Sequence, residues 1–169
     1  MVTVAILGVL AAMAAPSFGL MIERWRVRDA AEALQSTIFY ARSEAIKHSG
    51  NVTILKTSSA NGCSAADPTQ WDCGWTVFVD ENNDGIQDAS DVTLKVIPPP
   101  MRVAITAAGS NGYITLDRWG QLNSASSNSF DFRLTPQGKS TDDIAAAAIC
   151  VGLGGGIKRL TKGDATCPS

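Results

Sequence analysis

Five oxygen-bearing side chains between Asp80 and Asp91 follow the spacing of a calcium-binding loop. Asp80, Asn82, Asp84, Asp88 and Asp91 occupy positions 1, 3, 5, 9 and 12 of this segment, with Gly85 at position 6. Carboxylate and amide oxygens are calcium ligands, and glycine at the sixth position permits a sharp turn. The pattern departs at position 12, where Asp replaces the longer bidentate Glu. The alternative is a hairpin turn whose Asp and Asn side chains cap backbone N–H groups.

A second charged segment lies near the end of the chain. Lys158, Arg159 and Lys162 fall within five residues and follow the glycines of the segment 154–156. Cations spaced in this way can contact several phosphates of double-stranded DNA without reading its sequence. The alternative is a set of solvated cations on an edge strand, where they discourage aggregation. The formal net charge of −2 gives no whole-chain argument for nucleic-acid binding.

The four cysteines predict disulfides rather than a metal site. No C-x-x-C pair is present, and the single His48 cannot complete a zinc site of the usual type. Four cysteines allow three pairings, and the pairing local in sequence is favoured, while the two other pairings stay open. The predicted bonds are Cys63–Cys73 and Cys150–Cys167. Such bonds are typical of an oxidising compartment outside the cytosol.

No catalytic arrangement is visible in the sequence. His48 has no Ser or Cys placed near it in a recognisable motif, so it is interpreted as a solvated residue near a helix end. The chain is therefore predicted not to be an enzyme, and calcium is its one candidate cofactor.

The first fifty residues are predicted to form one long helix, and the rest of the chain is expected to pack against it. Val2 to Ile22 is 21 residues without a charge, which matches the length that crosses about 30 Å of hydrocarbon as a helix. A secretory signal peptide and a buried core helix are the alternatives. No basic residue precedes the run, as a signal peptide would require, and the run is long for a core helix. Residues 1–22 are therefore predicted to span a membrane.

From Glu23 onward the helix becomes amphipathic. Its apolar residues recur at intervals of three and four, which places them on one helix face. They are Val27, Ala30, Ala31, Leu34, Ile38, Ala41 and Ala45. Residues 23–50 are therefore predicted to lie against a globular domain formed by residues 51–169.

The rest of the chain is predicted to be rich in β-strands. Residues 52–55, 75–79, 92–96, 103–106, 113–116, 130–134 and 144–151 are apolar or β-branched runs separated by turn residues. Strands 75–79 and 92–96 are expected to form a hairpin across the acidic loop. The predicted fold is α+β, with one long helix packed on antiparallel sheet.

These features together resemble a known family. The run VTVAILGVLAAMAAPSF, followed by an amphipathic helix, is similar to the N-terminal helix of type IV pilins and type II secretion pseudopilins. The stretch GWTVFVDENNDGIQD and the basic motif before the last cysteine resemble the FimT/GspH branch of that family. The segment from Gly156 to Lys162 is similar to the Gly-Arg-x-Arg motif of DNA-binding FimT-like proteins. Gly156 and Arg159 match that motif, and Ile157 stands where its first Arg is expected.

The resemblance implies a function and a location. It implies a minor pilin that is a structural and assembly subunit of a type IV pilus, with double-stranded DNA as a further partner in transformation. The alternative is a GspH-like minor pseudopilin of a type II secretion system. The chain would cross the inner membrane once, expose its domain to the periplasm and reach the cell surface in the pilus. Its helix would pack with other pilin helices through small residues such as Gly8, Ala11 and Ala15.

Overall fold

One long helix runs through the computed structural model, which describes residues 2–60, 62–123, 129–152, 154–161 and 167. Helix α1 spans Val2–Lys47, 46 residues. It ends in a turn in which Ser49, Gly50 and Asn51 all have positive φ, as expected for a chain that reverses after a helix. The Gly50 N–H closes this turn by donating to the Ala45 carbonyl oxygen at 2.7 Å.

The two halves of α1 differ in what the structure describes. Within the described part of the chain, no helix has a stretch long and apolar enough to cross a membrane. The side chains of residues 2 and 4–17, which form most of the predicted membrane segment, lie outside the described part, as do those of Gly8, Ala11 and Ala15.

The predicted apolar stripe of the second half is confirmed. Its members from Val27 to Ala45 are all buried in the main core. A period of 3.6 residues keeps these positions on one face, and the domain covers that face along its length. The apolar face that the sequence pattern predicts is therefore the face of the helix that packs on the domain.

The described strands after the helix are short and antiparallel. They are β1 (Val52–Lys56), β2 (Ser59–Ala60), β3 (Cys63–Ser64), β4 (Trp75–Val79), β5 (Val92–Ile97), β6 (Val103–Ala108), β7 (Tyr113–Leu116), β8 (Leu122–Asn123), β9 (Ser129–Pro136), β10 (Ala147–Gly152) and β11 (Ile157–Leu160). All seven predicted strands are present. The β2–β3 hairpin was not predicted, because two-residue strands carry no periodicity.

The strands form two larger sheets beside α1. One has the order β5-β4-β1-β7-β8 and the other β11-β10-β9-β6, while β2 and β3 pair alone. The predicted hairpin of β4 and β5 is confirmed by their antiparallel pairing. Helix α1 contacts β1 and β7 of the first sheet and β6, β9 and β10 of the second. The fold is α+β, as predicted.

Aromatic side chains fill the core between the helix and the two sheets. The Trp75 indole N–H donates to Thr37 Oγ1 of α1 at 3.2 Å, so its one polar atom is satisfied in a buried site. Trp71 packs edge-to-face on Phe132 with ring centroids 5.3 Å apart. The Trp71 N–H donates to the Ile105 carbonyl oxygen of β6 at 2.8 Å, so Trp71 lies beside the second sheet. Its ring centroid is 6.4 Å from that of Trp75 in β4, and this contact links the two sheets.

Candidate functional site

The acidic loop connects β4 to β5 and is organised around a buried carboxylate. Asp80 is fully buried, and its Oδ2 accepts hydrogen bonds from Thr53 Oγ1 and the Gly85 N–H, each at 2.9 Å. Its Oδ1 accepts the Asp84 N–H at 3.2 Å. Gly85 has a φ of 77°, which L side chains rarely adopt. Asp80 therefore anchors the loop to β1.

The other carboxylates of the loop also accept backbone N–H groups. Asp91 takes the Glu81 N–H at 3.2 Å on Oδ1 and the Asp88 N–H at 2.8 Å on Oδ2. Asp88 Oδ1 accepts the Ser90 hydroxyl at 2.6 Å and the Ser90 N–H at 2.7 Å. These bonds lower the pKa of Asp88 below its ordinary value. The loop is thus a turn capped by its own side chains.

Calcium binding by this loop stays a prediction. In the described residues, no three carboxylates of the loop bring their oxygens within 4.8 Å of one another. A calcium ion needs six to eight converging oxygens, so the loop as placed is not a preformed cage. Binding would require the carboxylates to exchange backbone N–H partners for the ion.

The residues that do come together elsewhere are not a metal site. Asp131, Cys150 and Cys167 are the one described group of three metal-ligand types with atoms within 4.8 Å of one another. Cys150 and Cys167 are joined as a disulfide, so neither sulfur is available as a thiolate ligand.

The predicted basic segment is divided by the strand that carries it. Lys158 pairs with Cys150 and Arg159 with Ile149 across β10 and β11. Successive residues of a strand point to opposite faces, so these two cations do not share a face. Lys162 lies outside the described residues. The structure therefore brings no three-cation cluster together among the residues it describes.

Arg159 points to the helix side of its sheet. Its Nη1 lies 3.7 Å from Glu32 Oε1, and the same oxygen accepts Arg28 Nε at 2.8 Å. The hydrogen bond from Arg28 is the main reason that the pKa of Glu32 is lowered. Lys158, on the opposite face, is exposed. Of the two described cations, Lys158 is thus the one placed to meet a ligand in solution.

Both predicted disulfides are present. Cys63 bonds to Cys73 across 10 residues, and Cys150 bonds to Cys167 across 17 residues. The second bond returns the end of the chain to the centre of β10, on the face that carries Lys158. It therefore fixes the chain on both sides of the basic segment.

The first disulfide closes a loop that a buried lysine also holds. Lys56 of β1 donates from Nζ to the carbonyl oxygens of Ala65 at 2.5 Å and Asp67 at 2.7 Å. Burial lowers the pKa of Lys56 and raises that of the nearby Asp72. This role of Lys56 was not predicted, since a lone lysine at a strand end carries no local signal.

An arginine of the helix clamps one turn from each sheet. Arg42 Nε donates to the Gly120 carbonyl oxygen at 2.9 Å, and Nη1 donates to that of Gly155 at 2.8 Å. A Cβ on Gly155 would collide with the Arg42 guanidinium.

The turn containing Gly120 also presents Trp119, which is 72% exposed. Trp119 was not singled out from the sequence. The sequence signal that points to it is a tryptophan within a D-x-x-G turn.

Most of this chain matches a known protein family. The family described as type II transport protein GspH matches residues 30–155. This match covers α1 from Ala30 onward, strands β1 to β10 and the acidic loop, and it ends before β11. The chain belongs to the GspH family. No curated protein matches the sequence at a significant level.

Solved structures share the fold of this GspH-family chain. The type IV minor pilin FimU of Pseudomonas aeruginosa has 19% sequence identity and a TM-score of 0.58, over 82% of this chain and 90% of that chain. A second crystal form of FimU gives 18% and 0.55, over 78% and 90%. Pilins and pseudopilins are structural subunits.

The place of His48 in the GspH-family chain agrees with a structural role. His48 follows α1, and its Nε2 lies 3.4 Å from Glu44 Oε2. Lys47 donates to the same carboxylate oxygen at 3.1 Å. The three side chains lie together at the end of the helix, with Lys47 and His48 exposed.

The helix of the GspH-family chain also presents an apolar surface before the domain begins. All residues from Phe18 to Ile22 are exposed, and Trp25 is 72% exposed. Side chains of this kind are usually covered by a lipid or a protein partner. The surface ends at Val27, where the buried stripe starts.

Proposed function

We propose that this chain is a minor pilin, a structural and assembly subunit of a type IV pilus held in the inner membrane by residues 1–22. The observation that carries this proposal is the division of α1. From Val27 onward one face is buried by the domain, whereas Phe18 to Ile22 are exposed. A helix built in this way can remain in lipid until it packs with other pilin helices in a filament.

The disulfides support a single orientation of the chain. The domain contains two disulfides, and disulfides form in the oxidising periplasm rather than in the cytosol. The domain would therefore lie in the periplasm before assembly and at the cell surface afterwards. The fold likeness to a type IV minor pilin supports the pilus rather than another assembly.

The test is to follow the full-length chain in cells. We expect an epitope-tagged chain to stay in membranes after alkaline extraction and to appear in sheared pili. Leu10→Arg in the apolar run should release it from the membrane, since a charge at the bilayer centre is costly. Phe39→Arg, at an exposed position in the second half of α1, is the matched control and should change neither result. Recovery of the unaltered chain in the alkaline-soluble fraction would contradict the proposal.

The second candidate is a minor pseudopilin of a type II secretion system. The family match, described as a type II transport protein, favours it. Deletion of the gene separates the two: loss of piliation with normal secretion supports the pilin. Loss of secretion with normal piliation supports the pseudopilin.

DNA binding is a further property that we propose for the minor pilin. The supporting observation is Lys158, exposed on edge strand β11 beside the second disulfide. Lys158 would contact phosphates of double-stranded DNA without reading sequence, whereas Arg159 lies on the other face beside Glu32. Retention in a mobility-shift assay that disappears as salt rises is the expected result. A full-length chain with no salt-sensitive retention would remove this property and leave the structural role.

A further inference from the structure

The end of the domain beside the start of the amphipathic helix presents two apolar tips. Met101 is 72% exposed and Ile144 is 61% exposed. Each lies in a tight turn rather than in a mobile tail, and neither contributes to the core. We call Met101, Arg102, Lys139 and Ile144 the proximal face.

Hydrogen bonds fix both tips. The Arg102 carbonyl oxygen accepts the Gln137 N–H at 2.9 Å, and Pro99 and Pro100 restrict the chain before Met101. On the other side of Ile144, the Ala145 N–H donates to Asp143 Oδ1 at 2.8 Å. Rigid turns of this kind lose little conformational entropy when their apolar side chains are buried by a partner.

Ion pairs hold the proximal face beside the first charged residues of the helix. Lys139 Nζ lies 2.7 Å from Glu23 Oε2 and 3.3 Å from Asp143 Oδ2. Arg24 is close enough to Asp143 to help lower the pKa of that carboxyl, after the larger effect of the Ala145 N–H. The turn that carries Ile144 therefore lies beside the first charged residues of α1.

The strands place Met101 at the same end. Val103 pairs with Pro136, and Ala147 pairs with Leu134, so β6, β9 and β10 all have one end here. At the opposite end of β10, the Gly155 carbonyl oxygen is bound by Arg42, nineteen positions further along the helix than Glu23. The sheet thus runs from the Glu23 level to the Arg42 level.

We propose that the proximal face rests on the membrane, with Met101 and Ile144 inserted among the headgroups of anionic phospholipids. This inference rests on the proposed insertion of residues 1–22. If Ile22 is the last residue in hydrocarbon, then Glu23 lies at the headgroup level, and so does the segment that Lys139 binds to it. The Met101 turn is joined to that segment by the hydrogen bond from the Gln137 N–H to the Arg102 carbonyl oxygen. Amphipathic surfaces with apolar tips and nearby cations bind such interfaces.

The charges of the proximal face suit this partner. Arg102 and Arg24 are exposed, while Lys139 pairs with both Glu23 and Asp143 and balances one of their two negative charges. Asp142 is the exposed carboxylate of the second turn and opposes binding. Trp25, 72% exposed on the adjoining helix, is of the type enriched at the membrane–water interface.

The test uses the full-length chain in nanodiscs that contain phosphatidylethanolamine and phosphatidylglycerol. The photo-crosslinker p-benzoylphenylalanine replaces Met101 or Ile144, and lipid adducts are measured by mass spectrometry. Matched controls replace Trp119 and Ile86, which are 72% and 64% exposed and lie in the turns of the opposite end. We expect at least five times more lipid adduct at Met101 and Ile144 than at the controls.

A probe in place of Phe18 separates this inference from the proposed function. Lipid adducts at Phe18 without an excess at Met101 and Ile144 overturn the inference and leave the membrane helix intact. Absence of adducts at Phe18 overturns both. Protein adducts at Met101, in place of lipid adducts, would identify a second pilin copy as the partner and would also overturn the inference.

The lipid charge is tested with a variant of the proximal face. Arg102 has a φ of 56°, a conformation that Asn tolerates, so Arg102→Asn removes the cation without backbone strain. We expect it to lower the adduct yield at Met101 about threefold on anionic nanodiscs and to leave the yield on phosphatidylcholine nanodiscs unchanged. An equal yield with and without Arg102 on anionic nanodiscs would overturn the role of anionic headgroups.

Discussion

The acidic loop between β4 and β5 and the basic strand β11 are both charged segments, but they use their charges differently. In the loop, Asp80, Asp88 and Asp91 accept N–H groups of the loop itself. In the strand, Arg159 lies near Glu32 of the helix, and Lys158 is exposed on the other face. Charge density therefore does not predict a ligand site when the backbone supplies the partners.

The largest effect is expected from the buried carboxylate of the loop. Asp80→Ala removes the acceptor of the Thr53 hydroxyl and of two backbone N–H groups. Leaving several buried donors unsatisfied should lower the free energy of unfolding by about 3 kcal/mol. Chemical denaturation of the full-length chain in detergent micelles measures it. Asp84→Ala, at an exposed position of the same loop, is the control and should cost about 1 kcal/mol.

A second large effect is expected where the basic segment is anchored. Replacing Cys150 and Cys167 by Ser removes a bond that closes 17 residues, which should lower the free energy of unfolding by about 3 kcal/mol. Protease should then cut after Lys158 or Arg159 sooner than in the unaltered chain. Replacing Cys63 and Cys73 by Ser is the control, because it leaves β11 anchored. Equal cleavage of both variants would show that the second disulfide does not hold the segment.

A smaller effect is expected from calcium, whose binding would make the acidic loop a ligand site. If the loop exchanges its N–H partners for an ion, calcium at ten times its dissociation constant should stabilise the chain by about 1.4 kcal/mol. That corresponds to a rise of about 4 °C in the melting temperature. Magnesium at the same concentration is the control for general ionic effects. No rise at millimolar calcium leaves only the self-capped turn.

The smallest effect on stability is expected in the basic strand. Lys158→Ala, at an exposed edge position, should change the free energy of unfolding by less than about 0.5 kcal/mol. If Lys158 contacts a phosphate, the same change should make the slope of log affinity against log salt shallower by about 0.9. Arg159→Ala should change that slope less, because Glu32 lies beside the guanidinium. A shift in slope that is larger for Arg159→Ala would contradict the division of the two faces.

Much of the fold follows from the sequence because its signals are local. The buried stripe of α1 repeats every three or four residues, and the strand runs are bounded by turn residues, so both can be read within a short window. The two disulfides join cysteines 10 and 17 residues apart. The β4–β5 hairpin needed only two strand runs with a polar turn between them.

The candidate sites depended on contacts that the sequence does not show. Thr53 and Asp80 are 27 residues apart, and Arg42 and Gly155 are 113 residues apart. The burial of Asp80, and thus its use as a structural acceptor, is decided by how β1 pairs with β4. Which of Lys158 and Arg159 is exposed is decided by which face of β11 the helix covers. The sequence by itself determined the helix, the strands and the charges, because each depends on neighbouring residues. Only the tertiary structure decided which charges are satisfied within the protein, because their partners come from distant parts of the chain.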